Sequence, residues 1–157
     1  MTDRSFIHLA LVVADLEASI AFYTRYAGMK VVHRRRDRGG GETAWLNDGK
    51  RPFVLVLVAH RRRSAGRMLL RGIARAISRY LARPAHLGIA CASREEVAAL
   101  CRQAAAEGRL LKPANDAGPI VGFYGMLADP DGYNLELSYG QEVGMTPEPA
   151  GTIERER

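Results

Sequence analysis

Cysteine is scarce in this 157-residue chain, and long apolar runs are missing. The two cysteines, Cys91 and Cys101, fall in segments read below as a strand and the helix after it, so reduced thiols packed in the core are expected. The longest apolar stretches, such as Phe53 to Ala59, are far shorter than the ~20 residues that a membrane-spanning helix needs. The first residues, Met1-Thr2-Asp3-Arg4, lack the basic start and apolar core of a secretory signal, and a cytoplasmic location is the expectation. Acid is absent from residues 61–83, which carry eight arginines, more than the whole net charge of +6. The basicity is therefore one local feature, not a global nucleic-acid-binding character. What is present is ordinary for a globular protein: 47% hydrophobic and 25% charged residues, enough for one domain or two small modules sharing a core.

The chain reads in order as a strand from His8 to Val13, then a helix capped by Asp15 and stopped near Gly28. Met29 to His33, Glu42 to Leu46 and Phe53 to Ala59 follow as strands, the last two separated by Asn47-Asp48-Gly49. The pattern then restarts. His86 to Cys91 is a strand, and Ser93 with Glu96 forms an S-x-x-E capping box before a helix that closes at Gly108. Arg109 to Lys112 is a short strand and Pro113 to Pro119 a loop. Gly122 to Leu127 and Tyr133 to Tyr139 are strands joined by Asp129-Pro130-Asp131-Gly132, a type I turn sequence. Both halves are β-α-β-β-β, and each histidine precedes its helix cap by the same interval. This is an internal duplication, and one such module cannot close a pocket alone. Two must pair, within the chain or across a dimer.

Strand alternation puts His8, Ala10 and Val12 on one face, His86, Gly88 and Ala90 on the matching face, and Asn134, Glu136 and Ser138 together. Leu9, Leu11, Leu87, Ile89, Leu135 and Leu137 form the helix-packed side. His8, His86 and Glu136 thus line the opposite side, where two imidazoles and one carboxylate suit a 2-His-1-carboxylate metal site. The plainer alternative is three satisfied structural polar groups. His33 and His60 read as surface histidines.

The stretches His8-Leu-Ala-Leu-Val-Val-Ala-Asp-Leu-Glu-Ala-Ser-Ile-Ala-Phe-Tyr23, His86-Leu-Gly-Ile-Ala90 and Asp129-Pro-Asp-Gly-Tyr-Asn-Leu-Glu-Leu137 resemble the vicinal oxygen chelate superfamily. That superfamily includes glyoxalase I, fosfomycin-resistance proteins, bleomycin-resistance proteins and extradiol dioxygenases. The resemblance implies an α+β fold of two paired βαβββ modules forming a curved mixed sheet around a cavity. Module one would span residues 5–60 and module two 84–140, with a basic helical linker at 61–83, all in one domain ending near 140. A flexible tail would follow at 141–157.

The resemblance also implies a divalent metal (iron, manganese, nickel or zinc) at His8, His86 and Glu136, with open positions for neighbouring substrate oxygens. The family's glyoxalases use a fourth ligand, which falls here on Val56, and valine cannot bind a metal. The tyrosine that extradiol dioxygenases carry ten residues before the glutamate is Met126 here, although Tyr124 stands two residues away. The phosphonate loop of fosfomycin-type transferases is not recognisable between Lys112 and Tyr124. Glu42 is the spare acid nominated as a base, and Tyr124 the second candidate catalytic residue. Expected partners are a small oxygen-rich substrate and a second copy of the chain. The alternative function is a non-catalytic protein that sequesters an antibiotic or metabolite.

Residues 64–83 read as an amphipathic helix, with Leu69, Leu70, Ile73, Ile77, Tyr80 and Leu81 on one arc and arginines on the other. It is either a linker capping the sheet or a dimer seam, or a contact for anionic lipid, nucleic acid or an anionic substrate. Tyr80 is its sole aromatic residue, which gives little support for single-strand binding.

Overall fold

Module one consists of β1 (His8–Val13), α1 (Leu16–Ala27), β2 (Lys30–Arg36), β3 (Glu42–Asn47) and β4 (Val54–Ala59). Module two repeats the order as β5 (His86–Ala90), α2 (Arg94–Ala106), β6 (Leu110–Asp116), β7 (Phe123–Ala128) and β8 (Asn134–Tyr139). The structure, a computed structural model, describes residues 7–60, 85–118 and 121–141. The segment expected to form a basic linker helix and the expected tail beyond residue 141 lie outside the described residues.

Each module forms a four-stranded mixed sheet, ordered β1-β4-β3-β2 and β5-β8-β7-β6. The first strand of each runs parallel to the last, and the other neighbours are antiparallel. The duplication extends to register. His8 lies across from Val54 and His86 from Asn134. A bulge between Val31 and His33 on β2 recurs between Leu110 and Lys112 on β6.

Local chemistry explains both helices. Asp15 caps α1 by accepting from the Ala18 amide at 3.1 Å, and Gly28 ends it with φ +62°, a conformation without penalty for glycine. Leu16, Ser19, Phe22, Tyr23 and Tyr26 are the buried stripe of α1, packed chiefly on β3 and β4. On α2, Ser93 Oγ accepts from the Glu96 amide at 3.2 Å. The Glu96 carboxylate reaches back to the Ala92 amide at 2.6 Å, one residue before the position a capping box predicts. Beneath the helices, Leu46, Leu55 and Leu57 in one sheet and Leu127, Leu135 and Leu137 in the other are fully buried. Each contributes roughly 1.5–3 kcal/mol of transfer free energy.

Two readings of the chain need correction. The expected loop after Lys112 is strand as far as Asp116, because two bulges let β6 keep its ladder with β7 across Pro113. Leu9, assigned to the helix-packed side, is 39% exposed, since α1 lies over β3 and β4 and leaves the edge strand β1 largely uncovered.

The modules are clasped by the turn Asp129-Pro130-Asp131-Gly132. Both oxygens of Asp131 accept from the Ala14 amide, at 3.1 and 3.0 Å, just ahead of the α1 N-terminus, whose partial positive charge favours a carboxylate. The Tyr23 hydroxyl donates to Asp129 at 3.0 Å, and the Tyr133 hydroxyl donates to the Val12 carbonyl at 3.1 Å. At the far end of α1, Arg25 pairs with Glu107, and Arg109 lies over the Phe22 ring.

Candidate functional site

Because Leu135 and Leu137 are buried under α2, the alternate residues of β8 project from the helix-free face of the sheet. Strand register then arranges that face in rows. Gly88, Glu136, Met126 and Lys112 form one row across β5, β8, β7 and β6. Ala90, Ser138, Tyr124 and Asn115 form the next. His86 and Asn134 stand on the other side of the first row.

Glu136 is buried, at 5% exposure, and its carboxylate lies 3.4 Å from His86 Nε2. Gln141 donates to the other carboxylate oxygen at 3.4 Å. Opposite Glu136 on the neighbouring strand, a side chain at Gly88 would meet no atom within 4 Å, so the sheet surface beside the dyad is open. An imidazole nitrogen and a carboxylate this close are a donor pair suited to a divalent ion.

Farther along the same face, Lys112 Nζ donates to the Tyr124 hydroxyl and lies 4.3 Å from the centre of its ring. Lys112 was not nominated from the sequence. In a regular strand, residues 112 and 115 would point to opposite faces. The bulge between them puts both on the face of Glu136. A strand continuing through Pro113 was the missing signal.

The corresponding face of module one is built from His8, Ala10 and Val12, then Val54, Val56 and Val58, then Thr43 and Trp45, and finally His33. Val56 pairs with Ala10 and Trp45 just as Glu136 pairs with Gly88 and Met126. Valine therefore holds the place equivalent to the carboxylate, as the sequence alignment of the modules implied. Trp45 and His33 stack with ring centres 5.0 Å apart. Module one presents an apolar, aromatic face, whereas module two presents a polar one. His33 is mid-strand rather than at a strand end, and exposed.

His8 is exposed at the start of β1. Among the described residues, no group of three or more His, Cys, Asp and Glu side chains stands close enough to hold a metal ion. The clasp explains part of this. It ties Val12 to Tyr133, and His8 is four residues back along the strand, about 13 Å away. His86 and Glu136 are brought together within one chain, and His8 is not part of such a group.

Glu42 shares its face with Ala44 and Leu46, which are buried on the helix side, so the sheet separates it from the face of Val56 and His8. It accepts from Arg36 Nε at 2.7 Å and lines a cleft of about 350 Å³ with Asp15, Glu17, Gly40 and His60. Cys91 and Cys101 are free thiols. Burial, with Glu96 and Cys101 nearby, pushes the Cys91 thiol up to about 11, as befits an unreactive packing group. Among the described residues, no helix is long and apolar enough to cross a membrane.

Residues 5–137 match the family model described as the Glyoxalase/Bleomycin resistance protein/Dioxygenase superfamily. An uncharacterized protein of Pseudomonas aeruginosa is 37% identical over 141 residues, covering 87% of this chain and 89% of its own. Among solved structures, a genomically encoded fosfomycin resistance protein of Listeria monocytogenes, complexed with Mn(II) and 1S,2S-dihydroxypropylphosphonic acid, superposes with a TM-score of 0.59 at 18% identity. That match covers 87% of this chain and 93% of the other. An antibiotic binding protein from a Streptomyces species superposes with a TM-score of 0.57 at 16% identity, covering 88% and 98%. At these identities the two structures share the fold.

Proposed function

Since the chain belongs to the Glyoxalase/Bleomycin resistance protein/Dioxygenase superfamily, we propose that it is a divalent-metal enzyme of that fold acting on a small, oxygen-rich molecule. The reaction is of the lyase, isomerase or oxygenase kind. His86 and Glu136 would hold the ion, and His8 of a second copy in a homodimer would complete the set. The observation that carries this reading is the buried Glu136 carboxylate 3.4 Å from His86, beside open sheet surface. A buried carboxylate is retained against its desolvation cost only where a partner or an ion compensates it.

The unpaired edges support the dimer. β1 and β5 each end their sheet among the described residues, and each begins with one of the two histidines. Leu9 and Val12 on β1, and Ile7 just before it, are exposed along an apolar edge of the kind that pairs with another chain. When bound, the ion (iron, manganese, nickel or zinc) supplies a Lewis acid that holds two neighbouring substrate oxygens. Gln141 steadies the Glu136 carboxylate, and Tyr124 shares its face, whereas Glu42 lies on the far side of the sheet.

Metal analysis of the purified protein tests this. The expected result is near-stoichiometric iron, manganese, nickel or zinc in the wild type, lost by more than about tenfold in Glu136→Ala. Failure of the wild type to retain any of these ions after reconstitution would sink the enzyme reading. A second reading, ligand sequestration without catalysis, is favoured by the Trp45–His33 ring pair beside Val54, Val56 and Val58. Tight ligand binding indifferent to chelator would support it.

A further inference from the structure

We infer that Lys112 and Tyr124 form an anion anchor, and that the substrate of the proposed metal site is therefore an acid carrying a carboxylate or phosphoryl group remote from its chelating oxygens. This rests on the metal-site reading and narrows its substrate class. The argument begins with donors. An ammonium has three hydrogens, and Lys112 directs one of them to the Tyr124 hydroxyl. That hydroxyl is thereby engaged as an acceptor, and its own hydrogen is left to donate. Two further donor directions of Lys112 and one of Tyr124 thus open onto the same patch. Among the described residues, no carboxylate pairs with Lys112, which is exposed on the helix-free face. An ammonium bonded to a phenol whose own hydrogen stays available is a receptor for an oxyanion.

Register supplies the spacing. Lys112, Met126 and Glu136 are direct neighbours on three adjacent strands, so Lys112 and Glu136 are two strand spacings apart, about 10 Å between backbones. Both side chains rise from the same face, with the Met126 thioether between them as an apolar, adaptable floor. The fitting molecule has vicinal oxygens at the Glu136 end, a body of a few carbons over Met126, and an anionic group at Lys112. A solvated lysine bonded to a tyrosine hydroxyl would show none of this selectivity.

The test pairs ligands that differ in the remote anion alone. Glycerol is compared with glycerol 3-phosphate, and catechol with 3,4-dihydroxybenzoate, by calorimetry on the full chain. Titrations are run with manganese and again with chelator, for the wild type, Lys112→Met, Lys112→Arg and Tyr124→Phe. The expected result is a preference of about tenfold or more for the acid-bearing member of at least one pair. That preference should collapse in Lys112→Met, persist in part in Lys112→Arg, and weaken in Tyr124→Phe. The pair that shows it identifies carboxylate or phosphoryl as the anion. Manganese affinity, measured separately, should be unchanged in Lys112→Met, because Lys112 is not a ligand. Equal binding of both members of each pair by the wild type, no binding at all, or selectivity retained in Lys112→Met overturns the anchor. Loss of manganese binding by the wild type with selectivity kept in chelator would sink the metal reading and leave the anchor standing.

Discussion

At the scale of single residues, some acids clasp the two modules and another, Glu136, stands beside open space. Asp129 belongs to the first group. Burial raises its carboxyl above the ordinary value of 3.8, against opposing hydrogen bonds from Tyr133, Tyr23 and Gly132. The folded protein therefore holds this proton more tightly than the unfolded chain. In the window between 3.8 and the raised folded value, the folded state binds more protons, so this group's contribution to stability grows as pH falls and is lost as pH rises. Urea unfolding followed from pH 7 down to about pH 3.8 should show the wild type gaining on Asp129→Asn as the pH falls. A gap that does not change with pH would refute the assignment. The sequence exposed these acids as a turn, Asp129-Pro130-Asp131-Gly132, and that was correct locally. Their partners, Ala14 and Tyr23, are over a hundred positions away, and no local pattern encodes them.

At the scale of elements, helix caps, alternation and turn residues were legible because each is a short-range matter of backbone donors, dihedral preference and one buried face. The path of β6 was not. Proline at 113 and the bulges beside it read as a loop end, yet the ladder to β7 carries the strand through. The approach of α2 to the sheet is likewise invisible until helix and strand are packed. Gly125 on β7 lies so close to α2 that an added Cβ would overlap Cys101 Sγ. Gly125→Ala should therefore destabilise the fold by about 1–3 kcal/mol through overpacking. Cys101→Ala in the same chain should recover part of that loss. Thermal unfolding of the single and double variants measures both, and a Gly125→Ala melting temperature equal to the wild type would contradict the close approach.

At the scale of the whole molecule, the two modules are duplicates in order, register and bulge, but not in chemistry. Module two keeps His86, Glu136, Lys112 and Tyr124 on its helix-free face, while the matching face of module one has His8, Val56, His33 and Trp45. If His8 completes the site across a homodimer, His8→Ala and Glu136→Ala chains should each fail to retain metal. Mixed under conditions that exchange subunits, they should regain one intact site per heterodimer, because one of the two sites receives both wild-type contributions. Metal content of the mixture should then approach half of wild type in the heterodimer fraction. A mixture as empty as its parents would place all three ligands within one chain or remove the site.

The chain by itself determined the β-α-β-β-β repeat, both helix N-caps, the buried faces of the inner strands and the equivalence of Val56 with Glu136. All of these follow from periodicity, capping chemistry and duplication, which act over a few residues or by comparing one half with the other. Tertiary structure alone decided which polar groups meet. It joined His86 to Glu136 through the parallel pairing of β5 with β8, turned Lys112 onto that face through bulges, and kept Glu42 on the opposite side. It also clasped the modules through Asp129 and Asp131, and among the described residues His8 lies outside any such group. The physical reason is that side-chain direction follows from strand alternation, whereas proximity between strands depends on pairings between residues far apart in sequence.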